Sequence, residues 1–248
     1  MIEFFQRIFE SLISNLIANI LCSAFGIGLS LLIRFLIIIV PNRLLWKIKD
    51  PKNFEICVAT SSTTTSIDGY VRPSTGIGQV RSLGLSLKTL TKAYKDLDFQ
   101  NVLLSEDHFT DRIGKDMLIL GGPKTNKHAE KILLKIRGLQ PADEIGSIIY
   151  WKEKKQLRLS YESKINVDTG YDYGLAFRMV NPFNPKRTVI MFCGGHTYGT
   201  IVAAQFFVEH KWIFTLKHLF KKNIVVLVKA DIINGHPNNI KLIKEYAW

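Results

Sequence analysis

The stretch that decides the architecture is Leu21–Val40, LCSAFGIGLSLLIRFLIIIV, and its single charged residue is Arg34. A helix of this length rises about 30 Å, which matches the hydrocarbon core of a bilayer. Apolar character begins near Leu12, so a tilted helix from Leu12 to Val40 also fits the sequence. We therefore predict one membrane-spanning helix, followed after Pro41 by a soluble domain.

A cleaved signal peptide is the main alternative for this segment. Such a peptide needs a positively charged start, an apolar run of about 7–15 residues and a cleavage site with small residues. Here the start carries Glu3, Arg7 and Glu10, the apolar run is longer, and the following IIIVPNRLLW offers no such site. We therefore expect the segment to persist as an anchor.

The charges that flank the apolar helix predict its orientation. Before the helix the only basic residue is Arg7, whereas four basic residues follow it: Arg43, Lys47, Lys49 and Lys52. Because basic flanks remain on the cytoplasmic side, the large domain is expected in the cytoplasm and the N-terminus outside the cell membrane.

Arg34 has two interpretations within the helix. It lies close enough to Val40 for its side chain to extend toward the basic side of the membrane. Alternatively, it contacts another helix in a homo-oligomer, since the small residues between Ser23 and Gly28 would allow close helix packing. One helix cannot form a pore, so any membrane-active role requires several copies.

The rest of the chain has the composition of a basic globular domain. The 248 residues carry a net charge of +12, and because charges cancel in residues 1–42, the whole excess lies in residues 43–248. A basic domain favours anionic partners such as lipid headgroups and nucleotide phosphates. No specific nucleic acid is predicted, since no Arg-rich block or RNA-type aromatic motif is present. Three widely spaced cysteines suggest neither a disulfide framework nor a zinc motif: Cys22, Cys57 and Cys193.

Apolar runs alternate with helical periodicity after the anchor, which predicts an α/β fold. We divide the chain into an anchor at 1–42, a basic juxtamembrane linker at 43–53 and an α/β domain at 54–248, with an optional sub-boundary near 140–165. The predicted fold is a Rossmann-like, mainly parallel sheet flanked by helices. A β-hairpin insertion is predicted near 147–161, where two strand-like runs flank the charged KEKKQ.

Individual elements follow from the same patterns. The predicted strands are 54–59, 101–104, 117–120, 173–180, 188–193 and 224–230. The predicted helices are 79–94, 126–137, 197–209 and 212–220. Residues 60–78 are expected to form a long polar loop, 181–185 an irregular turn, and the residues after the turn at 234–238 a short tail.

Three loops that follow predicted strands form the candidate ligand site. Ligands of open α/β sheets bind at the carboxyl ends of strands, where glycines admit the ligand and helix N-termini favour phosphate. The loops are 60–78, 121–126 and 194–200, although neither a complete dinucleotide fingerprint nor a P-loop is present. The candidate binding residues are Ser61, Arg72, Gly76, Gly78, Arg81, Gly121, Gly122, Lys124, Asn126, Gly194, Gly195, Tyr198, Gly199 and Thr200. Asn126 or Thr125 is alternatively a cap of the following helix.

His196 is the best single catalytic candidate, because a histidine in a strand-to-helix loop near the site is able to act as a base at neutral pH. Packing or helix capping is the structural alternative for this residue. Its candidate acidic partners are Asp68, Glu106, Asp116 and Asp172. The remaining histidines lack metal-ligand spacing, so no metal site is predicted.

Three segments together resemble a known group of nucleotide-binding domains: ICVATSSTTTS at 56–66, GYVRPSTGIGQVRSLG at 69–84 and DMLILGGPKTN at 116–126. Residues 54–137 are similar to the Rossmann-like group that includes nucleoside deoxyribosyltransferase-like, TIR-like and SLOG-like domains. The resemblance implies a sensor or effector of prokaryotic nucleotide signalling and phage defence, a role that some members combine with membrane helices. It also implies a catalytic glutamate if NAD is cleaved, for which Glu106 is the candidate.

Three functions therefore remain open. The first is a membrane-anchored domain that binds a nucleotide-like or other phosphate-bearing ligand. The second is an enzyme that cleaves the N-glycosidic bond of NAD or a nucleoside. The third is a structural module that recruits partners to the membrane without a ligand.

Overall fold

The computed structural model describes residues 1–60, 62–65, 71–97, 102–105, 112–153, 157–218 and 220–248, with backbone alone at residues 2–11, 62–65 and 71–73. Helix α1 (Ile2–Arg34), a π-helical turn (Phe35–Ile39) and helix α2 (Val40–Trp46) follow one another without a break. The chain divides into two compact units, Met1–Pro41 and Asn42–Trp248.

The first unit is the long apolar helix that the sequence predicts. The helical segment Leu12–Trp46 has a mean hydropathy of 2.4, and by length and composition it is the one helix among the described residues that is able to cross a membrane. Large apolar side chains are exposed along it, including Phe25 and Ile37. A helix that is apolar on all sides needs an apolar environment, such as a bilayer, around it.

The second unit contains all the described strands. In chain order these are β1 (Glu55–Val58), β2 (Ser62–Thr65), β3 (Val71–Ser74), β4 (Val102–Leu104), β5 (Met117–Leu120), β6 (Ala142–Asp143), β7 (Ile148–Lys152), β8 (Arg158–Glu162), β9 (Lys164–Asn166), β10 (Thr169–Asn181), β11 (Asn184–Gly194), β12 (Ile224–Ile233) and β13 (His236–Ala247). The helices of this unit are the end of α2, α3 (Ile77–Ala93), α4 (Lys127–Lys135) and α5 (Thr197–Glu209), with a 3₁₀ turn at Pro51–Asn53 and a π-helical turn at Ile213–Lys217.

One mixed sheet organises this unit, in the order β13-β12-β10-β11-β5-β1-β4. Strands β11, β5, β1 and β4 pair in parallel, while β10, β12 and β13 continue the sheet in antiparallel fashion. The predicted α/β class with a mainly parallel core and flanking helices is therefore confirmed. The four-residue strands β1 and β5 are buried along their whole length, which explains their apolar residues. The exception is Glu55 at the start of β1, whose buried carboxylate pairs with Lys115.

Helices cover both faces of the sheet. Helices α3 and α5 contribute Leu90, Val202 and Phe206 to the apolar core on one face. On the other face, α4 packs through Ala129 and Ile132 together with strand β7 of the hairpin. The predicted hairpin near 147–161 is confirmed, because β7 pairs with β8 in antiparallel register.

Four element predictions differ from the structure. The loop predicted at 60–78 contains the paired strands β2 and β3. The turn predicted at 181–185 is much shorter than expected, because β10 ends at Asn181 and β11 begins at Asn184. The predicted helix at 212–220 is a π-helical turn at Ile213–Lys217. The short tail is instead the edge strand β13, whose polar sequence is compatible with a strand because few of its side chains are buried.

Glycines allow α5 to approach the sheet closely. A Cβ atom on Gly174 of β10 would lie 2.2 Å from the carbonyl oxygen of Gly199 in α5, and one on Gly199 would lie 2.2 Å from that of Tyr173. A Cβ on Gly194 would lie 2.4 Å from the Cα of Gly199. Three glycines therefore fix the first turn of α5 against β10 and β11.

Gly174→Ala is expected to destabilise the protein by about 1–3 kcal/mol, because the added methyl group forces α5 away from β10. Gly84→Ala is the matched control, since Gly84 lies on the exposed side of α3 with no atom within 4 Å of an added Cβ. Alanine is the better helix former, so the control is expected to stabilise by up to about 1 kcal/mol. Urea unfolding of the detergent-solubilised chain measures both, and equal effects would contradict the packing argument.

Candidate functional site

A cavity of about 580 Å³ lies at the carboxyl ends of β5 and β11, beside the first turns of α3 and α5. We call it the glycine-loop cavity. Seven of the predicted binding or catalytic residues line it: Gly122, Lys124, Gly194, Gly195, His196, Tyr198 and Thr200. The other lining residues, which were not among the predicted binding or catalytic residues, are Ile77, Gln79, Thr125, Ile145, Gly146, Ile165, Val167 and Thr197.

The loop after β5 is shaped by a glycine turn and a helix cap. Gly121 has a φ of +110°, and a Cβ there would lie 2.5 Å from the Cβ of Ala59. Asn126 is buried, and its side-chain oxygen accepts hydrogen bonds from the backbone N–H groups of His128 (3.0 Å) and Ala129 (3.2 Å). Asn126 therefore caps α4, as the alternative interpretation of its sequence position predicts, and it does not line the cavity.

The first turn of α5 already holds a carboxylate. Asp172 is fully buried, and its two oxygens accept hydrogen bonds from the backbone N–H groups of Gly199 (2.6 Å) and His196 (3.2 Å). Burial raises the pKa of Asp172, whereas hydrogen bonds from Ser163 and Gly199 and the proximity of His196 oppose that rise. The amide of Gly199 that was expected to receive a ligand phosphate is thus occupied by a side-chain carboxyl group of the protein itself.

Helix α3 presents the other N-terminus at the cavity. Its N-cap, Gly76, has no side-chain capping hydrogen bond, and Ile77 in the first turn lines the cavity. Gly78 is buried, and its glycine identity is required because a Cβ would lie 2.5 Å from the carbonyl oxygen of Thr197. Gln79 also lines the cavity, and its side-chain oxygen is buried without a hydrogen-bond partner among the described residues. A helix N-terminus without a side-chain cap is a place that generally favours an anion.

Among the described residues, Lys124 is the lysine that lines the cavity. A Cβ on Gly146 would lie 2.8 Å from its Nζ atom, so the glycine leaves room for the lysine. Gly146 and Ile145 precede β7, while Ile165 and Val167 come from β9 and the turn after it. Sequence patterns did not identify these four residues, because they lie outside the repeated strand-loop-helix pattern.

Several predicted residues lie elsewhere or outside the described residues. Arg81 donates a hydrogen bond of 2.8 Å to the carbonyl oxygen of Gly235 in the β12–β13 turn and does not line the cavity. Asp116 lies at the opposite end of β5, where it accepts hydrogen bonds from the backbone N–H groups of Lys49 and Thr188, so it cannot be a partner of His196. Ser61, Asp68 and Glu106 fall outside the described residues, and of Arg72 the structure describes the backbone in β3.

His196 is exposed at the rim of the cavity. No acidic residue is present among the described residues that line the cavity, since Asp172 lies behind Gly195. Among all the residues that the structure describes, no three His, Cys, Asp or Glu side chains are grouped so as to hold a metal ion. The described geometry supplies polar groups for binding rather than an assembled acid–base pair.

Comparison with known proteins assigns no family: no protein-family model matches the chain, and no curated protein matches it.

Asp172→Asn is expected to destabilise the protein by about 1–3 kcal/mol, because one of the two backbone N–H groups that donate to Asp172 at the start of α5, those of His196 and Gly199, loses its acceptor. Asp168→Asn is the matched control, since Asp168 is an exposed residue of the neighbouring turn. Thermal unfolding of the detergent-solubilised chain measures the difference. If both variants unfolded at the wild-type temperature, Asp172 would not secure α5.

Proposed function

We propose that the protein is a single-pass membrane sensor or effector whose cytoplasmic α/β domain binds a nucleotide-like, phosphate-bearing ligand in the glycine-loop cavity. The observation that carries this proposal is the convergence of the second and third predicted loops and the α3 N-terminus around one cavity of about 580 Å³. Cavities of about 300–1,000 Å³ are typical for small ligands.

Each part of such a ligand has a counterpart in the cavity. The uncapped first turn of α3 and the Lys124 ammonium group favour a phosphate. Ile77, Ile145 and Ile165 provide apolar surface for a base, and Gln79 supplies an amide with an unpaired oxygen. Because Asp172 occupies the first turn of α5, we place the phosphate at α3 and the less charged part of the ligand beside α5.

The resemblance of residues 54–137 to nucleotide-signalling domains supports the same class of ligand and a role in signalling or phage defence. The basic residues after the apolar helix support a cytoplasmic position for the domain. An open cavity also favours ligand binding over a purely structural recruitment module, for which we would expect large side chains to fill the space above the glycine loops.

The enzyme alternative rests on His196 at the cavity rim. Cleavage of an N-glycosidic bond calls for a carboxylate near the positive charge that develops on the sugar. The described lining residues include none, and the candidate Glu106 lies outside the described residues. We therefore favour binding over hydrolysis.

The detergent-solubilised chain is expected to bind at least one of NAD, nucleoside phosphates or cyclic oligonucleotides in a calorimetric screen. Lys124→Ala is expected to weaken that binding about tenfold, which corresponds to about 1.4 kcal/mol for the loss of one charge-assisted bond. Lys127→Ala is the control, because Lys127 is exposed at the start of α4 and does not line the cavity.

Two outcomes would contradict the binding proposal. One is that none of the tested ligands binds with a Kd below about 1 mM. The other is turnover of NAD or a nucleoside that His196→Ala abolishes, which would establish the enzyme instead.

Membranes of cells that express the chain are expected to retain it after extraction with alkaline carbonate, and deletion of residues 1–41 is expected to release it, because the apolar helix would be the anchor. Protease added to the outside of intact cells is expected to leave residues 42–248 uncut. Carbonate release of the full chain would refute the anchor, and cleavage from outside would refute the orientation.

A further inference from the structure

A second chemically distinctive region lies where the chain enters the domain, around Leu44 and Lys47 and the residues that bond to them, Arg178 and Thr188. We call this region the entry edge. Here Leu44 accepts a hydrogen bond of 3.1 Å at its carbonyl oxygen from Arg178 of β10, and Lys47 accepts one of 2.8 Å from Thr188 of β11. Thr188 belongs to the first half of β11, whereas the glycine-loop cavity lies at its carboxyl end. The entry edge and the cavity are therefore at opposite edges of the sheet.

Three large apolar side chains are exposed at this edge, at intervals of four residues. Trp212, Leu216 and Phe220 are 52%, 71% and 94% exposed, whereas Ile213 and Phe214 between them are buried. Single exposed apolar residues are common, but three on one short segment mark a contact surface.

This apolar segment adjoins the start of the domain. Lys211, immediately before Trp212, donates a hydrogen bond of 2.6 Å to the side chain of Asn42. Asn42 is the first residue of the unit, and in the sequence it follows Pro41, the last residue of the first unit. The exposed side chains therefore belong to the part of the domain through which the chain enters from the first unit.

Cations surround a cavity at the same edge. The cavity has a volume of about 480 Å³, and its lining includes Lys47, Lys49, Arg178, Lys186 and Lys222. No acidic residue is present among the described residues that line it. A cavity of this composition favours an anionic group.

Arg178 adds a fully buried positive charge to this cavity. Its Nη1 atom donates to the carbonyl oxygens of Leu44 and Phe214, while Nε and Nη2 have no hydrogen-bond partner among the described residues. Burial lowers its pKa to about 10, so the side chain remains charged at neutral pH. A buried charge without a counter-ion is costly, and an anion in the adjoining cavity would offset that cost.

The neighbouring Arg187 differs from Arg178 because its charge is balanced. It forms ion pairs with Asp50 at 3.0 Å and with the buried Asp116 at 3.3 Å. The unbalanced positive charge of the cavity is therefore that of Arg178 and the lysines around it.

We propose that the entry edge docks on the surface of an anionic phospholipid bilayer, with Trp212, Leu216 and Phe220 at the boundary between headgroups and acyl chains and lipid phosphates beside the cations of the cavity. Aromatic and aliphatic side chains flanked by lysines are the composition of interfacial membrane segments. The proposal rests on the membrane anchor of the proposed function and adds a contact that the anchor itself does not require.

The test uses the full chain inserted in lipid nanodiscs, with an environment-sensitive fluorophore on Leu216→Cys in a Cys22→Ser background. The other two native cysteines are buried, so labelling is confined to the new thiol. In nanodiscs of phosphatidylcholine mixed with phosphatidic acid, the emission is expected to shift to the blue and to be quenched by brominated lipid. The shift is expected to be smaller with phosphatidylcholine alone and to weaken at high salt. The control probe on the exposed Val167, at the glycine-loop cavity, is expected to show no shift.

Charge variants test the cavity separately from the apolar contact. Lys186→Glu with Lys222→Glu is expected to abolish the preference for phosphatidic acid, whereas Lys88→Glu with Lys127→Glu, two exposed lysines elsewhere, is expected to retain it. Arg178→Met is expected to reduce the same preference. All four lysines are exposed, so the paired variants remain informative even if the substitution of Arg178 prevents folding.

The outcomes separate this proposal from the one on which it rests. Failure of the chain to enter nanodiscs would overturn the anchor, and this proposal with it. Insertion with an unshifted probe at residue 216 would overturn the docking alone. Binding of inorganic phosphate without any shift on anionic nanodiscs would overturn the bilayer as the occupant. Ligand binding at Lys124 is measured independently and is expected to be unaffected by the lysine variants.

Discussion

The carboxylate of Asp172 is the interaction on which the arrangement of the candidate site depends. It joins β10 to the first turn of α5 through the backbone N–H groups of His196 and Gly199. The approach is close enough for these bonds because Gly174, Gly194 and Gly199 carry no Cβ. A ligand anion at that helix end would face the Asp172 carboxylate, so the positive end of α3 becomes the favourable place for a phosphate.

A second buried carboxylate organises the opposite edge of the sheet. Asp116 accepts hydrogen bonds from the backbone N–H groups of Lys49, Asp50 and Thr188, and it pairs with Arg187. These bonds attach the segment after α2 to β5 and β11. Arg178 contributes from β10 by donating to the carbonyl of Leu44, but it brings a positive charge that no described carboxylate balances. The two edges thus differ in chemistry: one presents a polar, glycine-lined cavity and the other a cationic cavity beside exposed apolar side chains.

Local patterns were sufficient for much of this fold and for part of the site. Continuous apolar runs identified the buried strands β1, β5 and β12, and the loops after β5 and β11 indeed line one cavity. Other features depend on contacts between distant segments. The role of Asp172 is set by Gly199, 27 positions along the chain, and the position of Arg81 by the β12–β13 turn. Strand β13 was not predicted because an edge strand needs few apolar residues. The helix predicted at 212–220 is a π-helical turn at Ile213–Lys217, in which Ile213, Phe214 and Thr215 are buried.

Helix α5 is the element best placed to relate the two edges. Its first turn contributes Tyr198 and Thr200 to the glycine-loop cavity, and its last residue, Glu209, is followed directly by the segment that carries Trp212 and Leu216. Strand β10 also reaches both edges, through Asp172 and Arg178, but it is hydrogen-bonded to β11 and β12 and is therefore held on both sides. A helix that lies on a sheet is able to slide or tilt as a body, whereas a central strand cannot move without breaking its ladder. Helix α3 also reaches both edges, from Ile77 at the cavity to Ala93, whose carbonyl oxygen accepts a hydrogen bond from Arg43. If a ligand changes how the domain meets the membrane, these two helices are the elements able to transmit the change in position, and for α5 the glycine contacts with β10 and β11 set how far the helix is able to move.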